Sequence, residues 1–282
     1  MTDAACTYCL ELVRQADKDR FLATLFAPEA VQPRLMALYA FNIEIARIRE
    51  MVSDPKLGEI RLAWWRDSIV GLHDGKPAEH PVLEALAPAI EASLLPLQPF
   101  LGMIESRQFD LYDDPMPSMG DLEGYLGETS SALVQLAAMI LAGPQARTLA
   151  ETAGLAGVAY GLTGLLRSLP VQRARGQCYV PKDLLARYGL TPAHWLAGRE
   201  EEKSAKLISD LCDHAALRLR EARAAPRVGL GAALPAFLPA SLTDLYLKRI
   251  RKLGTGALAT EANVSQLRRQ VTLYLNAKRN IF

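Results

Sequence analysis

The sequence is poor in the residues that hold small secreted domains or metal sites together: 282 residues contain four cysteines and four histidines. Four thiols are too few to frame a chain of this size with disulfides. Cys6 and Cys9 form a C-x-x-C pair, but a zinc site needs a second pair or histidines at matching spacing. His73, His80, His194 and His214 are scattered instead. A thioredoxin-like site needs a strand ahead of the motif, and none is readable. Two thiols on a first helix, with no metal, are therefore expected. Charge of one sign is missing too: 32 Lys and Arg face 31 Asp and Glu, a net +1. No basic field argues for nucleic acid. No stretch reads as the ~20 consecutive apolar residues that span a bilayer, and Met1 to Leu10 lacks the basic-then-apolar pattern of a secretory signal. The expectation is a cytoplasmic chain. Alternating β-branched runs, repeats, low-complexity tracts and domain boundaries are all absent, so 1–282 reads as one domain.

What remains is helix after helix. The composition, 50% hydrophobic and 22% charged, is that of a globular protein. Apolar residues at three- and four-residue steps predict a helix over Leu10–Leu25 and a second over Leu35–Val52, broken by Asp54-Pro55. Further helices are expected over Glu59–Leu72, Pro81–Leu94, Pro99–Leu111, Ser130–Leu141 and Ala150–Leu169. Asp121 is expected to cap the helix after the Tyr112–Pro117 loop, and Pro170 to stop the Ala150 helix. Arg173–Pro181 reads as a polar loop, Gly198–Lys206 as a solvated charge run and Pro226–Pro239 as an apolar Pro/Gly segment. Leu207–Ala224, Leu242–Leu253 and Val264–Leu275 close an all-α bundle of about ten helices. Gly154, Gly157, Gly161 and Gly164 weaken helix propensity, and they let another helix or a ligand approach closely.

Four segments, in this order, carry a resemblance. They are Leu35-Met36-Ala37-Leu38-Tyr39-Ala40-Phe41, then Trp65, then Gly157 to Arg167, then Arg175-Gly176-Gln177-Cys178-Tyr179-Val180-Pro181. The set resembles the squalene/phytoene synthase family from about Tyr8 to the C-terminal helices. The resemblance implies the isoprenoid synthase fold, antiparallel helices around a central cavity. It also implies head-to-head condensation of two prenyl diphosphates, in which divalent cations held by two aspartate-rich motifs draw off the diphosphate.

The motifs are where this sequence departs. The aspartates of D-D-x-x-D align with Ala46, Arg47 and Glu50, and those of the second motif with Ser168 and Gln172. Only Glu50 could bind a metal. Asp110-Leu111-Tyr112-Asp113-Asp114 superficially reads as D-x-x-D-D, yet one cluster cannot clamp a diphosphate from two sides. By the resemblance, Arg167, Arg175 and Tyr179 remain as diphosphate-facing positions, with Asp183 also retained. Tyr39, Phe41, Trp64, Trp65, Tyr160, Gly161 and Gly164 are candidates to line a prenyl-sized, apolar cavity. The arginines could equally pair with Glu44 and Glu50, and the aromatics could be plain core.

Two functional readings follow. Ala40-Phe41-Asn42-Ile43-Glu44, Pro235-Ala236-Phe237-Leu238 and Ser241-Leu242 resemble a branch of the family that includes mitochondrial complex I assembly factors. That implies a non-catalytic protein without catalytic residues, metal or cofactor, acting in assembly of a respiratory NADH dehydrogenase. Its partners would be a complex I subunit or assembly intermediate and an isoprenoid or lipid ligand, with at most peripheral contact at the inner membrane. Pro226–Pro239 is a candidate for that contact, or a buried connection. The alternative is a working Mg²⁺-dependent prenyltransferase.

Overall fold

The structure, a computed structural model, describes residues 2–282. Its α-helices are α1 (Asp3–Ala16), α2 (Lys18–Thr24), α3 (Gln32–Ala46), α4 (Ile48–Met51), α5 (Pro55–His73), α6 (Pro81–Ser93), α7 (Leu97–Ser106), α8 (Met119–Leu126) and α9 (Ala132–Ala142). They continue as α10 (Ala150–Arg167), α11 (Leu169–Arg175), α12 (Lys182–Arg187), α13 (Pro192–Ala197), α14 (Glu201–Ala224), α15 (Leu230–Phe237), α16 (Thr243–Leu253) and α17 (Gln266–Arg279). No strand occurs among the described residues. The expected helices are present, but several are split, and the breaks have local causes.

The Leu10–Leu25 stripe is two helices. Asp17 leaves the helical region at φ −135°, and its carboxylate accepts the backbone N–H of Arg20, capping α2. An aspartate satisfies free N–H groups better at a cap than inside a helix. The second long helix breaks at Arg47, which separates α3 from α4. Ser118, not Asp121, caps α8: its hydroxyl accepts the Asp121 N–H. Pro170 does not end helical structure. It stands in the first turn of α11, where its missing N–H costs nothing. The supposed loop from Arg173 is therefore still helical as far as Arg175.

The interior falls into two apolar clusters. Phe41, Trp65 and Phe100 belong to one, from α3, α5 and α7. Trp195, Leu207, Leu211 and Ile250, from α13, α14 and α16, belong to the other. α10 serves both, giving Ala153, Ala156 and Ala159 to the first and Leu162 and Leu166 to the second. The runs Met119–Arg167 and Leu230–Leu258 do contain windows apolar enough to cross a membrane, which the sequence reading missed. These windows are 56% and 78% buried inside the protein, as core helices are. Pro226–Pro239 accordingly forms α15 and a following turn, with Ala233 to Pro239 buried, so its membrane role is set aside.

Two of the α10 glycines are contact points. Beside them, Gly127–Ser131 forms a π turn between α8 and α9. A Cβ on Gly157 would stand 2.3 Å from Ser131 Cα, and one on Gly161 would stand 2.8 Å from a Leu126 methyl. Gly154 and Gly164 have nothing within 4 Å. The small residues thus seat the π turn against α10, rather than keeping the whole helix clear for a ligand.

Two predictions follow from this packing. Gly157→Ala is expected to destabilise the protein by about 1–3 kcal/mol, because backbone must move. Gly154→Ala is expected to stabilise it by about 0.5–1 kcal/mol through helix propensity. Denaturant midpoints of the two variants should move in opposite directions. Separately, burial pushes the thiols of Cys9 up to about 12 and of Cys178 and Cys212 up to about 11. Mass spectrometry after alkylation at neutral pH should find Cys6 modified first and the other three protected until unfolding.

Candidate functional site

A cavity of about 700 Å³ opens between the end of α1, the start of α2, Asn42 of α3 and the C-terminal half of α10. The π turn, Arg107, the 261–264 segment and Arg269 of α17 complete it. It touches α3 at Asn42 and α10 along its C-terminal half, but none of the motif-aligned Ala46, Arg47, Glu50, Ser168 and Gln172 lines it. The lining is charged rather than apolar. Lys18, Arg20, Arg107, Arg167 and Arg269 face Asp17, Asp19 and Glu261. The expectation of an apolar, prenyl-shaped cavity is therefore corrected here.

Asp19 organises one side. It is 3% exposed. The Tyr246 hydroxyl donates to it at 2.7 Å and that of Tyr160 at 3.2 Å. Arg269 Nη1 lies 3.0 Å from its carboxylate, and Arg167 Nη1 lies 3.4 Å away. The Arg167 guanidinium also stacks 3.7 Å over the Tyr246 ring. Arg20 pairs with Asp17 at 2.6 Å and sits over the rings of Tyr160 and Tyr39. Burial, with the Asp19 charge adding, raises the Tyr160 hydroxyl well above its ordinary pKa, so it stays a proton donor.

Asp110 organises the opposite side. Arg107 Nη1 pairs with it at 3.0 Å, and the Tyr125 and Tyr179 hydroxyls donate to it at 2.8 and 2.7 Å. Burial likewise raises the Tyr179 hydroxyl. The D-x-x-D-D run is thus split: Asp110 is buried in this network, while Asp113 meets Arg49 at the surface.

Several polar atoms at this cavity are buried without a partner. They are the Nε of Arg107, Arg167 and Arg269, Ser130 Oγ and Asn42 Oδ1. Buried polar groups are almost always paired. These atoms are closed to solvent, so what the cavity presents to an anion is the positive charge of Lys18, Arg20, Arg107, Arg167 and Arg269. A wider groove of about 1040 Å³ runs along α5, α7 and the π turn, but Arg66 faces Glu59, Glu105 and Glu128 there. Its charge does not favour an anion.

Of the residues chosen from sequence, Arg167, Tyr160, Gly161 and Gly164 line the cavity. The others are placed elsewhere. Tyr39 is buried beneath Arg20. Phe41 packs edge-on against Trp65 and Phe100, and Trp65 packs against His80 and Trp64, all away from the cavity. Arg175 pairs with Glu50 at 2.9 Å on the surface, and Tyr179 is held by Asp110. These six, Trp64 beside Trp65 and His80 included, are corrected as cavity residues: apolar contact, a hydrogen bond or an ion pair satisfies each where it stands. Asp19, Arg20, Arg107, Ser130 and Arg269 were missed. The one local signal was Asp17-Lys18-Asp19-Arg20, four charges interrupting an apolar stripe.

The positions aligned with metal ligands have other work. Arg47 pairs with Glu44 at 2.6 Å, and the Tyr8 hydroxyl donates to the same carboxylate. Gln172 Nε2 donates to Leu165 O and to Ser168 Oγ, fastening α10 to α11. Glu50, the one aligned carboxylate, is taken by Arg175. Among the described residues no group of three or more His, Cys, Asp or Glu is arranged to hold a metal ion. The donor set at the cavity does not fit a magnesium pair, because its buried carboxylate, Asp19, is already neutralised by arginines and tyrosines. Replacing Asp19 with Ala should leave Arg167 and Arg269 unpaired and destabilise the fold by about 3–5 kcal/mol, read as a lowered thermal midpoint.

The squalene/phytoene synthase family profile matches residues 13–273. The chain is 28% identical over 272 residues to "NADH dehydrogenase (ubiquinone) complex I, assembly factor 6" of Mus musculus, covering 96% of this chain and 81% of that protein. It is 30% identical over 206 residues to "Phytoene synthase 3, chloroplastic" of Zea mays, covering 70% of this chain and 47% of the maize protein. Among solved structures, a dehydrosqualene synthase with bound ligand superposes with a TM-score of 0.81 at 20% identity, over 98% of this chain and 96% of that one. That likeness is one of fold, the isoprenoid synthase arrangement of helices. With the profile matched across nearly its whole length, the chain belongs to the squalene/phytoene synthase family.

Proposed function

We propose that this chain is a non-catalytic member of its family that assists assembly of a respiratory NADH dehydrogenase and binds a phosphate-bearing isoprenoid or lipid without metal. The observation that carries the reading is the fate of both motif positions. Arg47, Ser168 and Gln172 are spent on local ion pairs and helix junctions, and arginines face the cavity instead. Prenyl transfer needs concentrated positive charge as the diphosphate leaves, and this kind of electrostatic stabilisation is usually the largest part of catalysis. Arginine binds phosphate well but does not replace a bridging divalent ion. The likeness to complex I assembly factors over most of the chain supports the assembly role. The expected location is the cytoplasm, with peripheral contact at the inner membrane.

Purified protein with Mg²⁺ and farnesyl or geranylgeranyl diphosphate should release no pyrophosphate, at least about a thousandfold less than a working synthase. In its host, deletion should lower NADH dehydrogenase activity and leave squalene, hopanoids and carotenoids unchanged. Normal NADH oxidation with lost isoprenoids would restore the enzyme reading. Calorimetry with inorganic pyrophosphate in EDTA should show binding, weakened about tenfold in Arg167→Gln, since a charge-assisted hydrogen bond is worth about 1.5–3 kcal/mol. Binding that requires Mg²⁺ would refute the metal-free site.

A further inference from the structure

α17 turns the wrong face outward. Leu267, Val271, Tyr274 and Leu275 are 70%, 48%, 56% and 42% exposed. At 3.6 residues per turn they fall within an arc of about 100°. The inward face carries Leu273, which is buried, and Arg269, which reaches the Asp19 carboxylate. A helix on the surface of a water-soluble fold normally does the reverse.

The stripe does not end with the helix. Phe26, just beyond α2, shares a groove of about 480 Å³ with Tyr274, Leu234 and Lys278. Phe26 is itself exposed, and its neighbour Leu25 is 52% exposed. The charge on this helix has one sign. Its 14 residues include no Asp or Glu, and Arg268, Lys278 and Arg279 are all exposed. Lys278 sits over the apolar arc, with Arg268 and Arg279 along one edge.

We infer that α17, with Leu25 and Phe26, is a docking face for an anionic lipid bilayer, entered by its apolar stripe and anchored at the headgroups by its basic residues. An exposed apolar arc with Lys and Arg beside it, on a helix without acidic residues, is the pattern of a helix lying in a membrane interface. Anionic lipid complements that charge. A second copy of the chain does not: pairing α17 with itself sets Arg268, Lys278 and Arg279 against the same cations. The face is separate from the charged cavity, and the inference stands whether or not the cavity binds a phosphate.

The test is sedimentation of the full chain with vesicles of phosphatidylcholine alone or with an equal share of phosphatidylglycerol. Binding is expected to the mixed vesicles and not to the neutral ones. Leu267→Ser/Val271→Ser/Leu275→Ser should weaken it at least about tenfold, as should Arg268→Glu/Lys278→Glu/Arg279→Glu. All six positions are exposed, so circular dichroism should show both variants folded. Tyr274→Trp supplies an independent readout: its emission should shift to the blue on mixed vesicles only. Three results would overturn the inference. They are no binding to mixed vesicles, equal binding to neutral ones, or a dimer in solution that the serine variant dissociates.

Discussion

A carboxylate at 3% exposure is stable only if its charge is answered on every side. Asp19 is answered by two arginines and two tyrosines that arrive from α10, α16 and α17, while it stands on α2 itself. These elements lie up to 250 residues apart in the chain. The network therefore ties the N-terminal hairpin to the two closing helices and fixes one wall of the cavity. Asp110 does the same across the opening, gathering Arg107, Tyr125 and Tyr179. Neither carboxylate is left with a free charge to offer a metal.

This arrangement explains how a family built around metal ions can keep its shape without them. Carboxylates facing each other across a cavity repel, and cations between them relieve the repulsion. Here Glu50 alone of the aligned positions is acidic, and Arg175 pairs with it, so that strain is gone. Covalently attached cations, the guanidinium groups of Arg20, Arg107, Arg167 and Arg269, line the cavity. A guanidinium cannot lose its charge, and its fork pairs with carboxylates or phosphates. Under the proposal above, the cavity holds an anion at equilibrium rather than driving one out.

Much of the fold was legible because its signals are local. Apolar steps of three and four marked the helices and Asp54-Pro55 marked a break, while Phe41 and Trp65, offered as cavity lining or as plain core, are core. Arg167, chosen because its segment resembles one the family uses, does stand at the cavity. The rest failed where the deciding partner is remote. Asp17 to Arg20 fell inside one predicted helix, and it takes Tyr160, Arg167, Tyr246 and Arg269 to make Asp19 an interior residue. Arg175 could not be assigned until Glu50, 125 residues away, was beside it. The α10 glycines were ambiguous for the same reason. Whether small residues admit a ligand or a neighbouring turn depends on what stands opposite, and for Gly157 it is the backbone of Ser131.

The two halves of the functional reading meet in α17. Its inward face contributes Arg269 to the cavity wall, and its outward face is the apolar stripe. Arg269 lies about one helical turn before Leu273, the buried anchor of the same inward face. A shift of the helix that repacks Leu273 must therefore also move the guanidinium away from or toward Asp19. That movement changes how much positive charge is free at the cavity. Under the proposals above, the bilayer contact and one wall of the cavity are opposite faces of a single helix.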